Sequence, residues 1–222
     1  MSKRYNQVKE KIAEEQVNVS DAIKTIKENA SAKFDETVEV HIRLGIDPKK
    51  SDQKVRSSVS FPFGVGKAKR VAVFTETKQK EAKEAGADLI GGQELIEEIQ
   101  KTSKIDFDVA IATPEMMPKL AKAAKILGPK GLMPNPKTGT VSEDVKKVVS
   151  EFKAGKSEFK SDDSGNIHIA VGKVSFAEEN LKENFDFFID ALKKAKPDNQ
   201  KGIFIKSVSM CSTMSPGVKI KL

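Results

Sequence analysis

The chain has 222 residues, yet it holds one cysteine, one tyrosine, two histidines and no tryptophan. A single cysteine, Cys211, excludes an internal disulfide framework and fits a reducing compartment. His41, His168 and Cys211 are too small an inventory for a Cys/His zinc site, so no metal is expected. No apolar run approaches the ~20 residues that a membrane helix needs, so no membrane partner is expected. The opening stretch MSKRYNQVKEKIAEEQ has no apolar signal core, so a mature, cytoplasmic chain is expected. Catalytic signatures are missing as well. No G-x-S-x-G elbow accompanies either histidine. RVAVFTETKQKEA has no glycine to bring a backbone up to a pyrophosphate. PFGVGKA holds a Gly-Lys pair, but Phe61, just before it, stands where a phosphate loop needs glycine, and Ala68 where it needs Ser or Thr. No enzyme and no cofactor are expected.

What is present is positive charge, 39 Lys and Arg against 32 Asp and Glu, a formal +7. That favours a polyanionic partner, nucleic acid first. The charge concentrates in KILGPKGLMPNPKTGTV, residues 125–141. There three prolines and three glycines space Lys125, Lys130 and Lys137 with no acid. Pro129, Pro134 and Pro136 pre-set φ, which reads as a shaped loop rather than a slack one. Within it GPKG, residues 128–131, also fits the GXXG clamp of KH domains.

Along the chain the rhythm changes twice. RYNQVKEKIAEEQ is helix-forming, and SDAIKTIKENASA is a second helix capped by Ser20, with Ala22, Ile23 and Ile26 on one face. TVEVHIRLGI alternates, setting Val38, Val40, Ile42 and Leu44 against Thr37, Glu39, His41 and Arg43. VRSSVSF is the next strand. PFGVGKAKR then reads as a hinge or linker. From RVAVFT to SEDVKKVVSEFKAG, buried strands alternate with helices, including one helix over PEMMPKLAKAAKIL and another stopped by Gly155. From Lys156 strands and turns return. KSEFK and NIHIAVGKV flank the hairpin turn SDDSG, and a long helix carries Leu181, Phe185, Phe188, Ile189 and Leu192 on one stripe. The fold class is α+β with an α/β insertion.

ILGPKGLMPNPKTGTV, AGADLIGG, FDVAIATPEMM, IHIAVGKVSF and SVSMCSTMSPGVKIKL together resemble the L-one family of large-subunit ribosomal proteins, found on the mobile side stalk. AKFDETVEVHIRLGIDPKKSDQKVRSSVSFPFGVGK looks like that family's first strand pair. The similarity covers nearly the whole chain, and the length fits the bacterial branch.

The resemblance implies two domains. Residues 1–66 plus 157–222 would form a split β-α-β two-layer domain that holds rRNA. Residues 67–156 would form an inserted, Rossmann-like three-layer α/β domain. It implies a monomer off the ribosome with three RNA partners: the large-subunit rRNA stalk, the exit-site tRNA whose release it assists, and its own mRNA, which it represses. The rRNA-binding residues carried over are Lys33, Phe34, Thr37, Glu39, His41, Ser207, Thr213, Met214 and Ser215. Phe34 would offer a flat apolar face and Met214 an adaptable one, while Thr37, Thr213 and Glu39 would meet 2′-hydroxyls or base edges. Lys125, Lys130 and Lys137 would form a second surface, for tRNA or the stalk. The family usually reads Thr-Met-Gly-Pro where this chain has Thr213-Met214-Ser215-Pro216, which puts close approach at Ser215 in question. Two rivals stay open: a nucleotide-binding α/β enzyme centred on residues 67–156, and a KH-like mRNA-binding module.

Overall fold

The computed structural model describes residues 3–12 and 15–221. Four elements come first: α1 (Lys3–Lys11), α2 (Val19–Asn29), β1 (Thr37–Leu44) and β2 (Arg56–Ser60). The middle holds β3 (Val71–Phe74), α3 (Gln79–Glu84), β4 (Leu89–Gly91), α4 (Gln93–Thr102), β5 (Val109–Ala112), α5 (Met117–Leu120), α6 (Ala124–Leu127) and α7 (Val145–Lys153). Then follow β6 (Lys156–Lys160), β7 (Asn166–Lys173), α8 (Glu178–Lys194), β8 (Ile205–Ser212) and β9 (Val218–Ile220). Two compact units result: Met1–Gly66 with Glu158–Leu222, and Lys67–Ser157.

In the first unit the sheet order is β7-β1-β8-β9. Both β7 and β8 run antiparallel to β1 between them, so the β7-α8-β8 crossover is split by β1. Alternation puts Val38, Val40, Ile42 and Leu44 on the buried face. Against them pack Ala22, Ile23 and Ile26 of α2 and the α8 stripe from Leu181 to Leu192. Phe188 meets Phe159 edge-on at 5.4 Å. Among the described residues helices pack on this face alone; the other carries Thr37, Glu39, His41 and Arg43, all at least partly exposed. β2 pairs with β6 in a separate two-stranded sheet.

In the second unit β4, β3 and β5 are parallel, and Val141 bridges to Ala112 beyond β5. Every residue of β3 is buried because both faces are covered. Ala72 and Phe74 pack with α4, α5 and α6, while Val71 and Val73 pack with α3 and α7. This is the three-layer α/β arrangement.

Several local readings are corrected. Ser20 lies inside α2; Asn18 precedes the helix and neither residue caps it through its side chain. The 114–127 helix is broken into 3-10 turns at Pro114–Met116 and Ala121–Ala123 around α5 and α6. Pro118 supplies no backbone donor, and Met117 N bonds back three residues to Pro114 O. β1 and β2 do not pair; the long loop between them carries β2 to β6. The SDDSG turn joins its flanking strands only at the Ser161–Ile167 bridge, after which β6 and β7 enter different sheets. GPKG follows α6, but only the single 3-10 turn Pro136–Thr138 comes between it and α7, so the helix-loop-helix of a KH clamp is not formed. The helix reading over RYNQVKEKIAEEQ holds to Lys11; Ala13 and Glu14 lie outside the described residues. Gly155 does follow α7, with φ at 117°, where a side-chained residue would be strained.

Candidate nucleic-acid interface

The open face of the first sheet ends in two loops, one before β1 and one after β8. A buried acid ties them together. Glu36 is 2% exposed. Its Oε1 accepts from Ala32 N at 3.1 Å, and its Oε2 accepts from Ser212 Oγ at 2.6 Å and Met214 N at 3.0 Å. Its own carbonyl accepts from Val174 N at 2.9 Å. Next to it, Asp35 accepts from Ser175 N and Ser175 Oγ. The result is a rigid base under two apolar side chains that face solvent, Phe34 at 55% and Met214 at 49% exposure. Burying each elsewhere would be favourable, so holding both out leaves apolar area available for a partner.

The hydroxyls sit beside them. Thr213 Oγ1 accepts from Thr37 N at 3.0 Å and reaches Thr37 O at 3.4 Å, closing the corner between β1 and β8. Lys173 Nζ donates to Thr37 Oγ1 at 2.8 Å and to Asp35 O at 3.3 Å. Lys33 is exposed. Ser215 Oγ turns inward, accepting from Ser212 N at 3.2 Å and lying 2.9 Å from Ser212 Oγ. Its φ is not positive, so the turn accepts a Cβ at this position.

Farther along the face, Glu39 pairs across to Cys211 and Ala170, His41 to Ser209 and His168, and Arg43 to Ser207 and Asn166. Ser207 is exposed. His41 Nδ1 lies 2.7 Å from His168 Nδ1, and His41 Nε2 lies 3.1 Å from Cys211 Sγ. Burial lowers the pKa of His41, the neighbouring His168 lowers it further, and the Glu39 charge opposes both. His41 thus turns its two nitrogens to different partners, and among the described residues no group of three ligands converges on one point. The face therefore mixes an apolar end, short hydroxyls and imidazoles, with Arg43 and Lys173 at its margins. Those are the groups that meet riboses, base edges and phosphates.

Sequence reasoning placed Phe34 before β1, Thr37, Glu39 and His41 on its polar face, and Ser207, Thr213 and Met214 on the last strand. The structure gathers them on one face and its loops, but β8 ends at Ser212, so Thr213 and Met214 lie in the turn after it. It missed Glu36, His168, Lys173 and Ser212. A signal for two of them existed. Glu36 shares parity with Val38 and Val40, and Ser212 with Val208 and Met210, so alternation extended by one step buries both.

The 125–141 loop belongs to the second unit and is shaped from within. Leu132 and Met133 pack on the core and Pro134 is buried. Asn135 is the hub. Its N–H donates to Thr140 Oγ1 at 2.7 Å, its carbonyl accepts from Thr138 Oγ1 and Thr140 Oγ1, and its Oδ1 accepts from Lys137 N at 2.9 Å. Thr138 and Thr140 are 1% and 4% exposed. On this scaffold Lys125, Lys130 and Lys137 all face solvent. Thr140→Val should destabilise the second unit by roughly 1 kcal/mol, because the part-buried Asn135 N–H loses its acceptor and the Asn135 carbonyl loses one of its donors. Urea unfolding followed by circular dichroism measures this; a change under about 0.5 kcal/mol would show that the loop is not held by this hydroxyl.

In the turn after β3, Thr75 Oγ1 accepts from Lys78 N, and no glycine opens the backbone to a phosphate. Among the described residues no helix is long and apolar enough to cross a membrane.

Residues 26–216 match the model of the ribosomal protein L1p/L10e family. The large ribosomal subunit protein uL1 of Mesoplasma florum is 50% identical over 223 residues, covering 100% of this chain and 98% of that protein. The uL1 proteins of Solibacter usitatus and Thermosipho africanus are each 51% identical, over 219 and 221 residues. Those alignments cover 98% and 99% of this chain, and 92% and 95% of the respective relatives. With the family model spanning most of the chain and half of all positions identical end to end, the chain belongs to the ribosomal protein L1p/L10e family.

Proposed function

We propose that the chain is a structural, non-enzymatic constituent of the cytoplasmic large ribosomal subunit, and that its first unit, residues 1–66 with 158–222, holds large-subunit rRNA at the mobile side stalk. The observation that carries this reading is the open sheet face, ending in Phe34 and Met214 held out over a buried Glu36. The relatives are proteins named for the large ribosomal subunit. The Rossmann-like unit, residues 67–157, carries a second RNA surface at Lys125, Lys130 and Lys137, directed at the exit-site tRNA and assisting its release. The same rRNA grip would accept a mimic in the protein's own mRNA and so repress its translation. Off the ribosome the chain is monomeric in this reading.

Co-sedimentation with large subunits tests the assignment, and retention in the unbound fraction would overturn it. The mode of grip is tested on a stalk RNA fragment. Hydroxyl and apolar contacts depend on salt less steeply than a lysine mat, so the affinity should fall with salt as for roughly two to four phosphate contacts. A DNA copy of the fragment lacks the 2′-OH and should bind at least about tenfold more weakly. Equal binding of RNA and DNA would exclude this grip.

A further inference from the structure

Around His41, the centre of the open face holds a chain of contacts whose other members, Asp162, His168 and Cys211, are not among the rRNA-binding residues named above. Asp162 Oδ2, in the turn before β7, lies 3.6 Å from His168 Nε2. His168 Nδ1 lies 2.7 Å from His41 Nδ1 on β1, and His41 Nε2 lies 3.1 Å from Cys211 Sγ on β8. The run crosses three strands in one row.

Only one nitrogen of the Nδ1–Nδ1 pair can carry hydrogen, because two N–H groups cannot face each other at hydrogen-bond distance. The ends decide which. Burial works against the charge on Asp162, but the backbone and side-chain amides of Asn166, the Ser164 amide and His168 outweigh it and hold the carboxyl below its ordinary value. A carboxylate at 3.6 Å is too far for a direct hydrogen bond but favours a proton on His168 Nε2. His168 Nδ1 is then the acceptor, and His41 carries its hydrogen on Nδ1. His41 Nε2 is left as acceptor for Cys211, whose thiol is kept protonated by burial and by Glu39. The Cys211 thiol and His41 Nδ1–H each meet an acceptor, and the proton on His168 Nε2 is favoured by the Asp162 charge without a direct hydrogen bond, so the row runs in one direction.

We propose that Asp162, His168 and Cys211 are positioning residues, that together with His41 they form a single relay fixing the tautomer of His41, and that this relay takes up one proton when an RNA phosphodiester lies on the face. The second part rests on the RNA reading above. The site of uptake is His41 Nε2, which then donates toward Cys211 Sγ while Nδ1–H still donates to His168. A second proton, on His168 Nδ1, would break the row. Besides the relay, the groups facing His41 are Glu39 and Arg43 on β1 and Ser209 on β8. In the free protein burial, and next His168, keep the pKa of His41 down. A phosphate brings negative charge and raises it. The complex then binds more protons than the free partners, so affinity rises as pH falls through the bound pKa and levels off below the free one.

Nitrogen-15 NMR of the imidazoles in the full chain tests the relay without RNA. At pH 7.5 His41 should be protonated on Nδ1 and His168 on Nε2. The reverse tautomers, or two independent titrations, overturn it. Asp162→Asn keeps the turn acceptor but presents an amide donor to His168, so both tautomers should reverse; unchanged tautomers overturn the directing role of Asp162. The second part is read from stalk-fragment affinity between pH 7.5 and 5.5, which should tighten by about three- to tenfold, one proton allowing at most tenfold per unit. His41→Gln with His168→Gln should flatten this dependence. A flat profile in the parent chain overturns the linkage, whereas failure to bind RNA at any pH overturns the RNA reading itself and leaves the relay to be judged by its tautomers.

Discussion

Glu36→Ala should destabilise the first unit by about 3 kcal/mol and weaken stalk-fragment binding at least tenfold. The carboxylate is buried and serves Ala32 N, Ser212 Oγ and Met214 N. Alanine removes every one of these acceptors at once. Each orphaned buried donor costs roughly 1–3 kcal/mol, less where water can enter, so the sum stays below a simple total. Affinity should suffer beyond the loss of stability, since the loops carrying Phe34 and Met214 lose their common anchor and must be ordered on contact. Glu36→Gln keeps the size but turns an amide donor toward one of the three donors, so it should cost about half as much. The chain has no tryptophan, so urea unfolding is best followed by far-UV circular dichroism. If Glu36→Ala unfolds within about 0.5 kcal/mol of the parent, the two loops are held by something else.

The contrast between Val38–Leu44 and Glu36 shows what sequence makes legible. β1 and its buried face follow from alternation alone, because one covered face imposes period two. The parallel sheet follows from continuous apolar strands such as VAVF, because both faces are covered. Pairing partners were not legible in the same way. β2 reads as the next strand and, through the family resemblance, as part of a first strand pair, yet it joins β6, a choice made by packing between distant segments. The family resemblance supplied Phe34 and Met214, but their exposure is a property of tertiary structure. In isolation each reads as a core residue. The His41–His168 contact was invisible for the same reason. Both residues were placed on polar faces, but only the register of β1 against β7 sets them opposite each other.

Thr213→Val combined with Met214→Ala should cost at least 2 kcal/mol in stalk-fragment binding, about thirtyfold, while Lys125, Lys130 and Lys137 changed together to Ala should leave it within about threefold. The two surfaces differ in kind. Thr213 Oγ1 accepts from Thr37 N and Met214 is half exposed at the end of the sheet face. Valine keeps the shape of threonine but leaves Thr37 N, and any RNA hydroxyl placed there, without a partner. Removing the Met214 side chain forfeits the apolar area that the loop holds out. The lysines stand on a loop braced by Asn135 and Thr140 in the other unit, so their removal leaves the first sheet intact. Their effect should emerge on intact ribosomes as slower release of deacylated tRNA. Circular dichroism must show both variants folded, since the Thr213 change also loosens the β1–β8 corner. A lysine triple variant that abolishes fragment binding, beside a Thr213/Met214 double variant that does not, would reverse the assignment of the two surfaces.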